Sequence, residues 1–161
     1  MMSIERAYLK WCKQRFPLPG EQEISDLERR ISAHFPKHFR DFLLEWNGGL
    51  FTWPNIIIGE DDHSVGSLKY LSGVHVPVDF AELGRAFDLS LFEDNNPPII
   101  LPIGRTTAND LIMLNVDLGD EDDGAVFLRT TDQNTIRLGA TMDEFFSLLR
   151  EDADYGAFTL V

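Results

Sequence analysis

The sequence has one cysteine, no internal repeat, no apolar run of bilayer-spanning length and about half as many basic as acidic side chains, 14 Lys+Arg against 27 Asp+Glu. Each shortage excludes something. A lone Cys12 closes no internal disulfide, so the fold has to rest on its apolar core. No segment approaches the ~20 apolar residues of a membrane helix. The opening MMSIERAYLKWCKQRF also places Glu5, Arg6, Lys10 and Lys13 where a secretory signal needs an uninterrupted apolar stretch. These absences predict a cytoplasmic protein that does not enter membranes. The formal charge of −13 repels nucleic acid phosphates and anionic lipid and attracts basic macromolecules. It is unevenly spread: residues 1–50 carry 8 basic and 7 acidic side chains, residues 51–161 carry 6 and 20. On charge alone, solubility is a sufficient reason for the acidity.

What is present is the composition of a packed protein. Of the 161 residues 43% are hydrophobic and 12 are phenylalanine, enough to bury one sizeable core, and the expectation is a single domain over residues 1–161. Ile4, Ala7, Tyr8 and Trp11 fall at i, i+3, i+4, i+7 behind a candidate N-cap at Ser3, which predicts a first helix broken by Pro17 and Pro19-Gly20. Ile24, Leu27 and Ile31 predict a second helix that stops before Pro36, leaving Phe35 at the junction. Pro36 suits the first turn of a third, whose inner face is Phe39, Phe42, Leu43 and Trp46. Trp46 is expected in the core. Asn47-Gly48-Gly49 then reads as a left-handed cap and a turn, since no GK[ST] follows and the stretch ends a helix instead of opening one.

Beyond residue 50 the pattern changes to short β-prone runs: Ile56 to Ile58, Ser67 to Leu71, Ile99 to Ile103, Leu111 to Val116, Ala125 to Arg129 and Thr135 to Leu138. The last four are joined by short Gly-, Asp- and Asn-rich links, which predicts antiparallel hairpins. Leu111 to Leu114 is apolar on both faces and predicts a central strand. Phe80, Leu83 and Phe87 allow a weak helix, and Thr141-x-x-Glu144 is a capping box opening a last helix of Met142, Phe145, Phe146 and Leu149. The fold class is therefore α+β: an antiparallel sheet, with a mixed sheet as the alternative, carrying N-terminal helices and a C-terminal helix.

Catalytic and metal constellations are hard to assemble. His34 and His38 have metal-pair spacing, but Pro36 breaks the face between them and no third ligand is near, so no metal site is predicted. Cys12 has no histidine beside it and reads as an inert buried thiol. Ser64, in Asp62-His63-Ser64-Val65-Gly66, lacks the first glycine of a nucleophile elbow. The densest acidic cluster, Asp117-Leu118-Gly119-Asp120-Glu121-Asp122-Asp123-Gly124, has Leu118-Gly119 where a calcium loop needs ligands. Asp120, Glu121, Asp122 and Asp123 read equally as a solvated hairpin tip or as a contact surface for a cationic partner, with Glu60, Asp61 and Asp62 as a second patch.

With these elements in place the chain resembles the SUKH superfamily, the group that includes the yeast Smi/Knr cell-wall regulator and many small bacterial proteins. The likeness is carried by Ile24 to Gly49, with its FLLEWNGG ending; by Leu101-Pro102-Ile103-Gly104; by Asn109-Asp110 before the strand Leu111 to Leu114; and by Met142 to Leu149. It covers about residues 21–150. Asn109 stands where the family favours glycine and Asn115 where an aspartate is common. The resemblance makes Trp46, Asn47, Gly48, Gly49, Pro102, Gly104 and Asp110 structural signature residues. It implies an immunity protein that binds and neutralises a cognate toxin, such as a nuclease or another enzyme acting on nucleic acid or nucleotides. No reaction or cofactor is expected of it, and a monomer or homodimer is. The alternative it implies is a non-enzymatic regulatory scaffold similar to the yeast member.

Overall fold

A computed structural model describes residues 2–52, 54–59, 62–84, 100–116 and 123–151. Three helices come first: α1 (Ile4–Trp11), α2 (Glu21–Ile31) and α3 (Lys37–Glu45). Ser3 caps α1, its hydroxyl accepting the Arg6 N–H at 3.2 Å. Glu23 opens α2 by accepting the Gly20 N–H, and Ser32 closes it in the left-handed conformation at φ 57°. Pro36 sits one position earlier than expected, as the N-cap of α3 and not in its first turn. Within α2 and α3, Glu28 accepts the Phe35 N–H and pairs with Arg40, whose other guanidinium nitrogen reaches Ser25. The two helices are thus tied by a half-buried ionic network as well as by apolar contact.

Among the described residues, ten strands form two sheets. They are β1 (Cys12–Gln14), β2 (Gly49–Phe51), β3 (Asn55–Ile58), β4 (Ser64–Gly66), β5 (Leu68–Leu71), β6 (Ile100–Thr106), β7 (Leu111–Asn115), β8 (Val126–Arg129), β9 (Thr135–Gly139) and β10 (Leu149–Glu151). The large sheet runs β1-β2-β5-β6-β7-β8-β9 and the small one β10-β3-β4, with every strand pairing antiparallel. The fold is α+β, and β6 to β9 form the expected meander of hairpins with β7 in its interior. Leu101, Ile103, Ile112, Leu114, Val126, Leu128 and Leu138 line one face and are buried. Against that face pack Phe39 and Leu43 of α3 and Phe145 and Phe146 of α4 (Met142–Ser147). An aromatic column completes the core: Tyr8 stacks on Trp46 at 4.5 Å and on Phe146 at 5.9 Å, and meets Phe51 edge-on at 5.2 Å.

The structure differs from the sequence reading at several elements. α1 ends at Trp11 and the chain passes straight into β1, so Cys12 is a strand residue opposite Phe51 and half-buried, not a buried helical thiol. Trp46 is the C-cap of α3 and only partly buried, at the rim of the core with Arg15 over its ring at 4.9 Å. α4 stops at Ser147, and Leu149 is buried as a strand residue paired with Ile57. Phe80 lies in a 3-10 turn, Asp79–Ala81, and Leu83 and Gly84 are helical. Phe87 lies outside the described residues.

Candidate partner-binding surface

The signature residues turn out to be joints between segments. Asn47 and Gly48 have φ of 54° and 76°, as the cap requires. The Asn47 side chain, fully buried, also donates to the carbonyls of Pro17 and Val74 and accepts the Val74 N–H at 2.7 Å. Gly48 is held by the Tyr8 hydroxyl, which donates to its carbonyl, and a Cβ there would lie 2.4 Å from the Leu71 carbonyl oxygen. A Cβ on Gly104 would lie 2.5 Å from the Tyr70 carbonyl oxygen, where β6 carries a bulge beside Pro102. That bulge is how a proline is accommodated inside a sheet. Asp110 accepts the Thr131 N–H and so ties the β6–β7 turn to the β8–β9 turn. Asn109 has φ 67°, a conformation asparagine tolerates better than other non-glycine residues, which explains it in a glycine's place.

Of the seven acidic residues expected to meet a partner, Glu60, Asp61, Asp120, Glu121 and Asp122 lie outside the described residues. Asp62 is exposed in the β3–β4 turn and Asp123 is exposed at the base of the β7–β8 connection. The structure does not bring these two together. Gly124 hydrogen-bonds Asn115, which pairs with Ile100, whereas Gly66 of β4 abuts Thr106 at the other end of β6. Seven strand residues separate those ends, roughly 20 Å.

Asp123 instead adjoins a groove that sequence reasoning missed. The Gly124 carbonyl lies 2.7 Å from Nε2 of His38, and the N–H of Met142 donates to His38 Nδ1 at 3.1 Å. Since Nδ1 accepts, Nε2 carries the proton and donates to Gly124. Burial holds the His38 pKa below the ordinary histidine value, against the opposing pull of the Gly124 carbonyl and of Asp143, Asp41 and Glu144. A neutral imidazole therefore pins the base of the acidic connection to the start of α3 and the start of α4. His38 also lines a groove of about 340 Å³ between α1, α3 and α4. Its floor is Ile4, Phe42, Trp46 and Met142, and its rim is Asp41, Glu45 and Asp143, with one cation, Lys37, already paired to Asp41 at 2.6 Å. The i, i+4 spacing of Lys37, Asp41 and Glu45 on the outer side of α3 was the sequence signal for this rim.

The residues weighed for catalysis and metal binding are not assembled. His34 is 89% exposed and stands beside Glu28, away from the hydrogen bonds of His38. Among the described residues no group of three His, Cys, Asp or Glu side chains is placed to hold a metal. Ser64 is an exposed residue of β4 paired with Ile58, not the tip of a strand-to-helix turn. Cys12 donates to the Gln14 carbonyl, and burial pushes its thiol pKa up, which disfavours the nucleophilic thiolate. No described helix is long and apolar enough to cross a membrane.

The fold is an α+β domain whose turns are pinned by buried side chains and whose grooves are open to solvent. A family model, that of the SMI1 / KNR4 family (SUKH-1), matches residues 19–148. The chain belongs to the SMI1 / KNR4 family. No curated protein and no solved structure matches it.

Proposed function

We propose that this protein is an immunity protein that binds and neutralises a cognate toxin domain through an acidic surface, with no reaction of its own. The observation that supports this reading most is the groove of Asp41, Glu45 and Asp143, joined through His38 and Gly124 to the acidic connection at Asp123. An aromatic floor under an anionic rim suits a basic, partly apolar protuberance of a partner. A nuclease cleft, built to hold phosphate, has that charge. Blocking it requires only occupancy and complementary charge, so no catalytic group is needed on this chain.

The test uses the toxin-like C-terminal domain of a protein encoded beside this one. The expected result is a stable complex that suppresses the toxin's activity, with association weakened by the triple change Asp41→Asn, Glu45→Gln, Asp143→Asn. A neighbouring domain that neither binds nor loses activity would overturn the reading. The second reading is a non-enzymatic regulatory scaffold, which the match to the SMI1 / KNR4 family also supports. It predicts no toxin domain beside the gene and no effect on one.

A further inference from the structure

Among the described residues, α1, α3 and α4 pack on one face of the large sheet. On the opposite face the strand registers set side chains into rows. Arg105, Leu111, Arg129 and Thr135 are successive partners across β6, β7, β8 and β9. The next row is Pro102, Met113, Phe127 and Arg137, and beyond it Ile100 faces Asn115. Two hollows open on these rows and share Arg129 and Gln133. One, about 360 Å³, is lined by Ile100, Met113 and Phe127; the other, about 330 Å³, by Arg105, Asn109, Leu111 and Thr131. An apolar lobe therefore runs into a cationic one.

The charge here is opposite to that of the molecule. Residues 51–161 contain six Lys and Arg side chains, and three of them, Arg105, Arg129 and Arg137, stand on this face. Elsewhere Lys10, Arg29, Lys37 and Arg40 each hold a carboxylate. Among the described residues Arg105 and Arg129 hold none. Arg105 donates to the Asn109 carbonyl and lies beside the Tyr70 hydroxyl, and Arg129 donates to the Gln133 amide oxygen. In a chain with 27 carboxylates, two neighbouring guanidinium groups bound only to neutral oxygens keep their capacity for anions. Their backbones flank Leu111 at two strand spacings, about 10 Å. Tyr70, beside Arg105, meets Phe80 at 5.0 Å with the two rings tilted, and Phe80 is 55% exposed beside the row.

We propose that this face is a second docking surface, for an acidic, apolar-studded segment of a partner protein. Its carboxylates would lie over Arg105 and Arg129 and its apolar side chains over Ile100 and Phe127, with the buried Met113 beneath them. Alternation fits: carboxylates spaced two residues apart in an extended segment are about 7 Å apart, and four apart about 13 Å, so long guanidinium side chains reach either spacing. A compact anion would meet the cationic lobe and leave the apolar one empty, which is why a protein segment is the better occupant. The surface is independent of the acidic groove on the helical side and stands whether or not that groove binds a toxin.

The probe is the peptide acetyl-Glu-Phe-Glu-Phe-Glu-amide, titrated into the full chain labelled with ¹⁵N and followed by amide shifts. The expected result is saturable shifts on β6, β7 and β8 around Arg105, Leu111, Met113 and Phe127. The variant Arg105→Gln, Arg129→Gln should keep the native amide spectrum and bind about ten-fold more weakly or worse, from loss of charge-assisted bonds. The lysine counterpart of the peptide should shift nothing on this face. The proposal is overturned by equal response to both peptides, by shifts confined elsewhere, or by affinity unchanged in the double variant. Saturation by free glutamate at the same affinity would make this a small-anion site and also overturn it. So would concentration-dependent broadening of these amides without peptide, which would assign the face to a second copy of the chain.

Discussion

At the scale of single residues, the family's signature positions act by satisfying buried polar groups. Asn47 is read from sequence only as a left-handed cap; its three long-range hydrogen bonds leave no trace in periodicity, because Pro17 and Val74 are remote in the chain. Asn47→Ala strands the Val74 amide and two carbonyls in the interior and should cost about 3 kcal/mol in denaturant unfolding. Asn47→Gly, which keeps the backbone freedom, should cost nearly as much if the side chain is what matters. Trp46 makes the opposite point. Its partial burial puts Trp46→Ala at about 2 kcal/mol, under the 3–5 expected for a fully buried aromatic, and the same titration checks it. His38 gives a pH dependence whose sign follows from its lowered pKa. The unfolded chain takes up the proton near pH ~6.5, while the folded chain resists until lower pH. Its contribution is therefore intact above about pH 6.5 and is lost as pH falls through the folded value. The stability of His38→Gln, measured over the same range, should fall less steeply than that of wild type.

At the scale of elements, legibility followed length. β6 to β8 announced themselves through apolar runs of four or more residues between Asp- and Gly-rich turns, β9 through the alternation of Ile136 and Leu138 with polar residues, and the three helices through their repeats. β1, β2, β4 and β10 have three residues each, too few to show a period of two, and all four escaped. Leu149 was assigned to the last helix because its spacing from Phe145 and Phe146 suits a helix; the pairing with Ile57 that overrides this is long-range. Leu149→Ala should cost about 2–5 kcal/mol as a core truncation, and hydrogen exchange should show β3 loosening with it. A helix-only role would leave β3 protected. The groove was not legible: the sequence places the acidity beyond residue 50, while this rim takes Asp41 and Glu45 from α3 and needs α1, α3 and α4 to be brought together.

At the scale of the whole molecule, the consequence is polarity. The helical side carries the anionic groove and the opposite side of the sheet carries the guanidinium row, so association with a basic partner should be steered by the former. Its rate should fall steeply between low and moderate ionic strength, as screening shortens to about 10 Å at 0.1 M. Stopped-flow rates for the Asp41, Glu45, Asp143 variant should show a flatter salt dependence, and an unchanged slope would move the steering charge to Asp120 through Asp123. The order of elements along the chain carries a further consequence, for synthesis. When residues only through Gly139 have left the ribosome, every strand of the large sheet has been made, yet Phe145 and Phe146, which cover its inner face, have not, and β3 still lacks β10. The growing chain must therefore hold part of its apolar sheet face uncovered until α4 has been made.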